Sequence, residues 1–208
     1  MEQLFIIFEI IGTMAFSVSG AFVALEKKMD IFGVAILGLT TAIGGGVFRD
    51  LILGITPPNT FENPIYAVIA ICVSIIVFIP SVGRTIRKKK IVNDMILLVM
   101  DSLGLGIFTV VGVKAAFMSG FEENVFLQIF VGVVTGVGGG ILRDIMAGNK
   151  PYVFVKHFYA CASLLGAICC VVLWRFTDGV LAMLAGAVIT LILRICAAKF
   201  HWSLPKAE

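Results

Sequence analysis

The sequence predicts an all-α polytopic membrane protein with seven transmembrane helices, an inverted three-plus-three repeat followed by a seventh helix. Three observations carry this prediction. The 208 residues are 60% hydrophobic and 14% charged, with a mean hydropathy of +1.07, whereas soluble domains carry about 25% charged residues. The apolar excess runs along the whole chain, broken into stretches of membrane-spanning length. Finally, one phrase occurs twice: GGGVFRDLILG at 44–54 and GGGILRDIMAG at 138–148, an offset of 94 residues.

A helix needs about 20 apolar residues to cross a hydrocarbon core of ~30 Å. Seven stretches qualify: 4–25, 31–53, 64–83, 92–114, 124–146, 157–174 and 179–198. The breaks between them, EKKMD, ITPPNTFENP, RTIRKKK, FMSGFEEN, AGNKPYVFVK and RFTD, hold the charges, prolines and glycines of turns. Glu2 is the only charged side chain before the first apolar run. A signal peptide would have a basic leader, so the first span is expected to be retained.

Orientation follows from the basic residues. One set of connections holds Lys27 and Lys28, then Arg84, Arg87 and Lys88 to Lys90, then Lys150 and Lys156, with Lys199 and Lys206 at the tail. The other set holds Glu62, then Glu122 and Glu123, then Arg175 with Asp178. The N-terminus is therefore expected outside and the C-terminus in the cytoplasm. RTIRKKK reads as a cytoplasmic stop signal, or as a site for anionic lipid head groups.

The repeat extends beyond the glycines. GTMAFSVSGA (12–21) aligns with GLGIFTVVGV (104–113) at an offset of 92, which sets Glu9 against Asp101, Phe16 against Phe108, Ser17 against Thr109 and Gly20 against Gly112. Downstream, Pro57 matches Pro151, and Tyr66-Ala67 matches Tyr159-Ala160. The expected division is a first three-helix repeat at 1–90, a second, inverted one at 91–176, and the seventh helix with a cytoplasmic tail at 177–208. Three spans per repeat is an odd number, so the second copy enters the membrane from the opposite side. Such repeats are typical of transport proteins, whose sites lie near the midplane on interrupted helices.

Gly44, Gly45, Gly46 and Gly138, Gly139, Gly140 give up about 1 kcal/mol each against alanine in a helix. They read either as a seam of close helix packing or as kinked, pore-lining segments that form a constriction. On the second reading, leucine at Gly45 or Gly139 should block permeation and leave a folded oligomer. Arg49 with Asp50, and Arg143 with Asp144, follow the two runs. Charges inside spans are costly and mark ion or substrate routes by default, with a structural ion-pair lock as the rival. Adjacent helical residues do not face one another, so the expected partners come from the repeat: Glu9 with Arg49 at one end, Asp101 with Arg143 at the other. Thr13, Ser17, Ser19, Ser102 and Thr109 are either packing hydroxyls or, at Ser17, Ser19 and Thr109 above all, pore-lining ones. Lys114 is expected to snorkel to the interface.

Other chemistries find little support. Five cysteines lie inside apolar runs without framework spacing, so structural disulfides are not expected. His157 and His201 form no metal-ligand pattern. A net charge of +3, placed as membrane-flanking residues, argues against nucleic acid. No nucleophile–base constellation suggests an enzyme, and neither a metal nor a cofactor is expected.

The doubled GGGxxRD phrase, its upstream glycine and phenylalanine pattern and the three-plus-three-plus-one layout resemble the trimeric intracellular cation channels. The similarity is greatest to the prokaryotic branch, also labelled UPF0126 or glycine transporters, and runs from Phe5 to about Cys196. The resemblance implies a homotrimer with one pore per protomer in a prokaryotic plasma (inner) membrane. It also implies conduction of monovalent cations with potassium as the permeant ion, through helices bent at Gly44–Gly46 and Gly138–Gly140. Membrane lipids are the other partners expected. The competing expectation is a secondary transporter of glycine or another small amino acid, working by alternating access.

Overall fold

The computed structural model describes residues 2–79, 90–155 and 158–202. Helix α1 (Glu2–Glu26) is followed by α2 (Ile31–Ile52), a single turn α3 (Asn59–Glu62) and α4 (Ile65–Phe78). The same order then recurs as α5 (Lys90–Met118), α6 (Val125–Met146), the short α7 (Tyr152–Val155) and α8 (Tyr159–Trp174), and α9 (Gly179–Lys199) stands last. Arg84, Arg87, Lys88, Lys89, Lys156 and Lys206, which carry much of the orientation argument, lie outside the described residues, as does His157.

Among the described residues five helices are long and apolar enough to cross a membrane: 5–26, 31–52, 94–118, 125–146 and 179–199. The third and sixth predicted spans are shorter than expected, because α4 has 14 residues and α8 has 16. At 1.5 Å per residue they reach only about 21–24 Å. Residues 80–83 of the third stretch and 157 of the sixth lie outside the described residues, and the single turns α3 and α7 sit in the polar connections that precede the two helices. The remaining boundaries fall within four residues of those expected from hydropathy.

Helix starts and stops follow local chemistry. Asp30, Asn124 and Asp178 cap α2, α6 and α9, each accepting from a backbone N–H in the first turn. Both α2 and α6 stop at a glycine with positive φ, Gly54 at 75° and Gly148 at 67°. There the chain turns left-handed, and the amides of Ile55 and Asn149 return to the carbonyls of Asp50 and Asp144.

Packing repeats as well. α1 packs on α2 and α4 as α5 packs on α6 and α8, while α1 against α5 and α2 against α6 join the two sets. Across the first junction the rings of Phe16 and Phe108 lie 5.3 Å apart. Lys114, near the end of α5, places its ammonium 3.5 Å from the ring of Phe5 at the start of α1, so these helices run antiparallel. α9 packs on α5 and α8. Small residues allow the close approaches. Gly20 sits against Thr41, Gly38 and Leu37, and its counterpart Gly112 sits against Thr135 and Gly132. Large apolar side chains, among them Phe32, Phe126, Phe154 and Leu181, face outward, the inverse of a soluble protein and suited to lipid. All five cysteines are free.

Candidate functional site: two charge clusters about a glycine crossing

The glycine runs lie where α2 and α6 cross. A Cβ on Gly45 would stand 2.2 Å from the carbonyl oxygen of Thr135, and one on Gly139 would stand 2.0 Å from that of Thr41. Gly138 faces the Cα of Gly45, and Gly44 faces Leu142. Residue numbers rise on one helix as they fall on the other, so the contact is antiparallel and reciprocal. Both helices remain continuous through the glycines, over Ile31–Ile52 and Val125–Met146. The expectation of interrupted helices is therefore corrected. Bare backbone serves here to let two whole helices touch, and the missing side chains are replaced by the neighbouring chain. Leucine at Gly45 or Gly139 cannot leave this contact intact, which revises the expectation of a folded oligomer for those variants.

On one side of the crossing, Glu9 of α1, Arg49 of α2 and Tyr66 of α4 border a cavity of about 310 Å³, lined also by Thr13, Gly46, Asn59, Thr60, Glu62 and Asn63. The Tyr66 hydroxyl donates to Glu9 Oε2 at 2.5 Å. Arg49 Nε donates to Asp50 Oδ1 at 2.7 Å, and the backbone N–H of Asn59 donates to Asp50 Oδ2 at 2.9 Å. Among the described residues no ion pair within 4.0 Å joins Glu9 to Arg49. The expected pairing is thus replaced by two others. Cα–Cβ vectors of adjacent helical residues do diverge, but an arginine side chain is long enough to fold back onto the next carboxylate. Asp50, in the last turn, is also held by the loop that follows it.

On the other side, the expected Asp101–Arg143 pair is formed. Arg143 Nη1 donates to Asp101 Oδ1 at 2.6 Å and to Ser19 Oγ at 2.5 Å, and Nε donates to Asp144 Oδ1 at 2.9 Å. The backbone N–H of Tyr152 donates to Asp144 Oδ2 at 2.8 Å, the counterpart of the Asn59–Asp50 bond. Arg143 is wholly buried, and Asp101 and Asp144 nearly so. Ser19 lies ten residues after Glu9 on α1, so the clusters stand ~15 Å apart along that helix, with the glycine crossing between them.

The two ends differ. Gly46 borders the cavity, whereas a Cβ on Gly140 would stand 2.9 Å from the hydroxyl of Tyr159. Arg194 of α9, absent from the sequence-based candidates, enters this second cluster. Its Nη2 lies 4.0 Å from Asp101 Oδ2 and its guanidinium 4.6 Å from the Tyr159 ring centre. Two carboxylates and two guanidiniums balance there. At the cavity, Glu9 and Glu62 face a single guanidinium already engaged by Asp50. A lone arginine inside LILRICAAK was the available signal, since nothing neutralises it within its own helix.

The hydroxyls are buried and mostly committed. Ser17 donates to the Thr13 carbonyl at 2.6 Å; Thr109 bonds the Leu105 carbonyl and Ser163 Oγ, both at 2.7 Å. Ser19 receives Arg143, and Ser102 is buried. Of the five small polar residues, Thr13 is the one that lines the cavity. Among the described residues no three His, Cys, Asp or Glu side chains are grouped to hold a metal ion.

Comparison with known proteins agrees with this architecture. The family model described as glycine transporter matches residues 6–81 and 98–175, one match on each repeat. The UPF0126 inner membrane protein YadS of Escherichia coli is 34% identical over 200 residues, covering 95% of this chain and 93% of that protein. The UPF0126 membrane protein YvgT of Bacillus subtilis is 36% identical over 196 residues, covering 94% and 93%. Among solved structures, the orthologue of the trimeric intracellular cation (TRIC) channel from Rhodobacter sphaeroides is 34% identical with a TM-score of 0.87, covering 95% of this chain and 98% of its own. A prokaryotic TRIC channel determined in 0.5 M KCl is 29% identical with a TM-score of 0.88, covering 98% and 100%. With its repeat, glycine crossing and paired charge clusters, this chain belongs to the UPF0126 membrane proteins, the glycine-transporter family, and shares the fold of the prokaryotic TRIC channels.

Proposed function

We propose that the protein is a potassium-permeable monovalent cation channel of a bacterial inner membrane, with its N-terminus outside and its C-terminus in the cytoplasm. The observation that carries this reading is the cavity at Glu9. Two carboxylates, Glu9 and Glu62, line it, and its one guanidinium is bound to Asp50. A vestibule with that balance concentrates cations and repels anions. Related solved structures are described as cation channels, which supports the same assignment, and the trimeric assembly in their description supports a homotrimer embedded in membrane lipid. No enzymatic role is proposed.

In this reading the path runs from the Glu9 vestibule, past the crossing of Gly44–Gly46 with Gly138–Gly140, toward the Asp101–Arg143 cluster. The repeats 1–90 and 91–176 supply its two halves, and 177–208 adds the seventh helix and tail. The crossing is the narrowest element, because backbone meets backbone there. Conduction then requires α2 and α6 to separate or tilt at the glycines, which carry no side chains to resist sliding. Arg143 is held by Asp101, Asp144 and Ser19, so it does not stand unpaired in the path.

A second reading, a carrier for glycine or another small amino acid, is favoured by the description of the family model and by one feature of the cavity. Arg49 and Glu9 line the same space, and a zwitterion needs both signs of charge. The two readings separate in proteoliposomes. A channel gives unitary currents in a planar bilayer and no glycine counterflow. Saturable glycine counterflow without unitary currents would overturn the channel.

A further inference from the structure

The two halves of the molecule present matched residues in unmatched states. Glu9 corresponds to Asp101, Arg49 to Arg143, Asp50 to Asp144 and Tyr66 to Tyr159. In the first set Glu9, Arg49 and Tyr66 border a cavity of about 310 Å³, while Asp50 is buried like Asp144. In the second, Arg143, Asp101, Asp144 and Tyr159 are all buried. The chemical difference between them comes from outside the repeat. Arg194 belongs to α9, which packs on α5 and α8, the helices bearing Asp101 and Tyr159. Its guanidinium lies near both side chains, and the first half has no seventh helix to supply an equivalent.

Asp101 divides its oxygens unequally. Oδ1 takes a short, charge-assisted bond from Arg143 at 2.6 Å. Oδ2 is buried, makes no hydrogen bond within 3.5 Å and has Arg194 Nη2 at 4.0 Å, and the Tyr159 hydroxyl also faces Asp101. That contact is electrostatic attraction at a longer range than the bonds Arg143 makes to Asp101, Asp144 and Ser19. Removing Arg194 would leave two carboxylates facing one guanidinium, and a buried oxygen of Asp101 open to another cation.

We infer that Arg194 is the tethered counter-ion of the Asp101 end: it holds that end closed by occupying the charge position beside Asp101 Oδ2 that a permeating monovalent cation must take. This rests on the channel reading above. Arg194 acts through Asp101 and is a positioning residue for conduction. Opening is then an exchange of one cation for another at Oδ2, with α9 as the part that moves relative to α5 and α8.

The test compares full-length wild type, Arg194→Gln, Arg194→Lys and the double variant Asp101→Asn with Arg194→Gln, each checked for a monodisperse, wild-type-like oligomer. Each is recorded in planar bilayers in potassium chloride, first symmetric and then with a gradient. Arg194→Gln should raise open probability about tenfold, within the range of ordinary coupling between sites. Arg194→Lys keeps the charge but loses the planar face against Tyr159, and should fall between wild type and Arg194→Gln. The double variant should conduct with a lower potassium-to-chloride permeability ratio than Arg194→Gln alone. A folded Arg194→Gln with wild-type open probability overturns the inference while leaving the channel intact. If Arg194→Gln does not fold, the equally uncharged Arg194→Met is recorded in its place, and wild-type gating in it has the same consequence. A silent wild type overturns the channel reading and this inference with it.

Discussion

Gly45 and Gly139 occupy equivalent places in the two repeats, and each presses against the backbone of the other's helix. A methyl group at Gly45 would lie 2.2 Å from the Thr135 carbonyl oxygen, and one at Gly139 would lie 2.0 Å from that of Thr41. Because Thr41 and Thr135 are also 94 residues apart, the contact is one interaction made twice. It holds the charge clusters at a fixed spacing on opposite sides of the crossing.

Substitution along the glycine run should therefore be sharply position-dependent. Gly45→Ala and Gly139→Ala force the helices apart and should cost ~1–3 kcal/mol, the usual range for overpacking. Gly46→Ala meets nothing nearer than 3.8 Å and should be neutral or stabilising by up to ~1 kcal/mol, from helix propensity. Thermal unfolding of the purified variants in detergent checks the order; equal losses at Gly45 and Gly46 would refute it.

The two arginines of the repeated phrase should differ in the same assay. Arg143 is wholly buried and bonds Asp101, Asp144 and Ser19. Arg143→Gln leaves Asp101 and Asp144 without their principal partner and should cost ~3–5 kcal/mol, as for other broken buried pairs. Arg49 is 11% exposed and has one ion-pair partner. Arg49→Gln leaves the buried Asp50 its bond from the Asn59 N–H and should cost less, ~1–3 kcal/mol, the range for a buried group that loses a hydrogen-bond partner. A larger loss at Arg49 would mean that the cavity end, not the buried end, carries the stability.

Tyr66→Phe removes the donor to Glu9 without disturbing the apolar packing of the ring. A hydrogen bond to a charged group contributes ~1.5–3 kcal/mol, and that loss should appear in unfolding. Cation preference should persist in Tyr66→Phe, because the Glu9 carboxylate remains. Chloride permeability rising as far as in Glu9→Gln would contradict this division of roles.

Much of this architecture was legible in the sequence because the chain spells it twice. The repeat paired Asp101 with Arg143 without any structure, and hydropathy placed the long helices. It misled at Glu9, since equivalent positions need not make equivalent contacts. Tyr66 takes Glu9, whereas Arg143 takes Asp101. The alignment of Tyr66 with Tyr159 was visible, but hydropathy gives a tyrosine no direction. From sequence, Asp50 and Asp144 mark either an ion route or an ion-pair lock, and in the structure each also accepts a backbone N–H from the loop beyond its helix. That role depends on the left-handed turns at Gly54 and Gly148. Arg194 escaped because the seventh helix has no repeat partner, so only its three-dimensional position connects it to Asp101.

The most direct measurement is the reversal potential of wild type and Glu9→Gln, recorded side by side in planar bilayers under a potassium chloride gradient. Wild-type unitary currents should reverse near the potassium equilibrium potential, and those of Glu9→Gln should shift toward zero as chloride begins to permeate. Identical reversal potentials would remove Glu9 from the permeation path. No currents in either, beside saturable glycine uptake in vesicles from the same preparation, would make the cavity a carrier site instead.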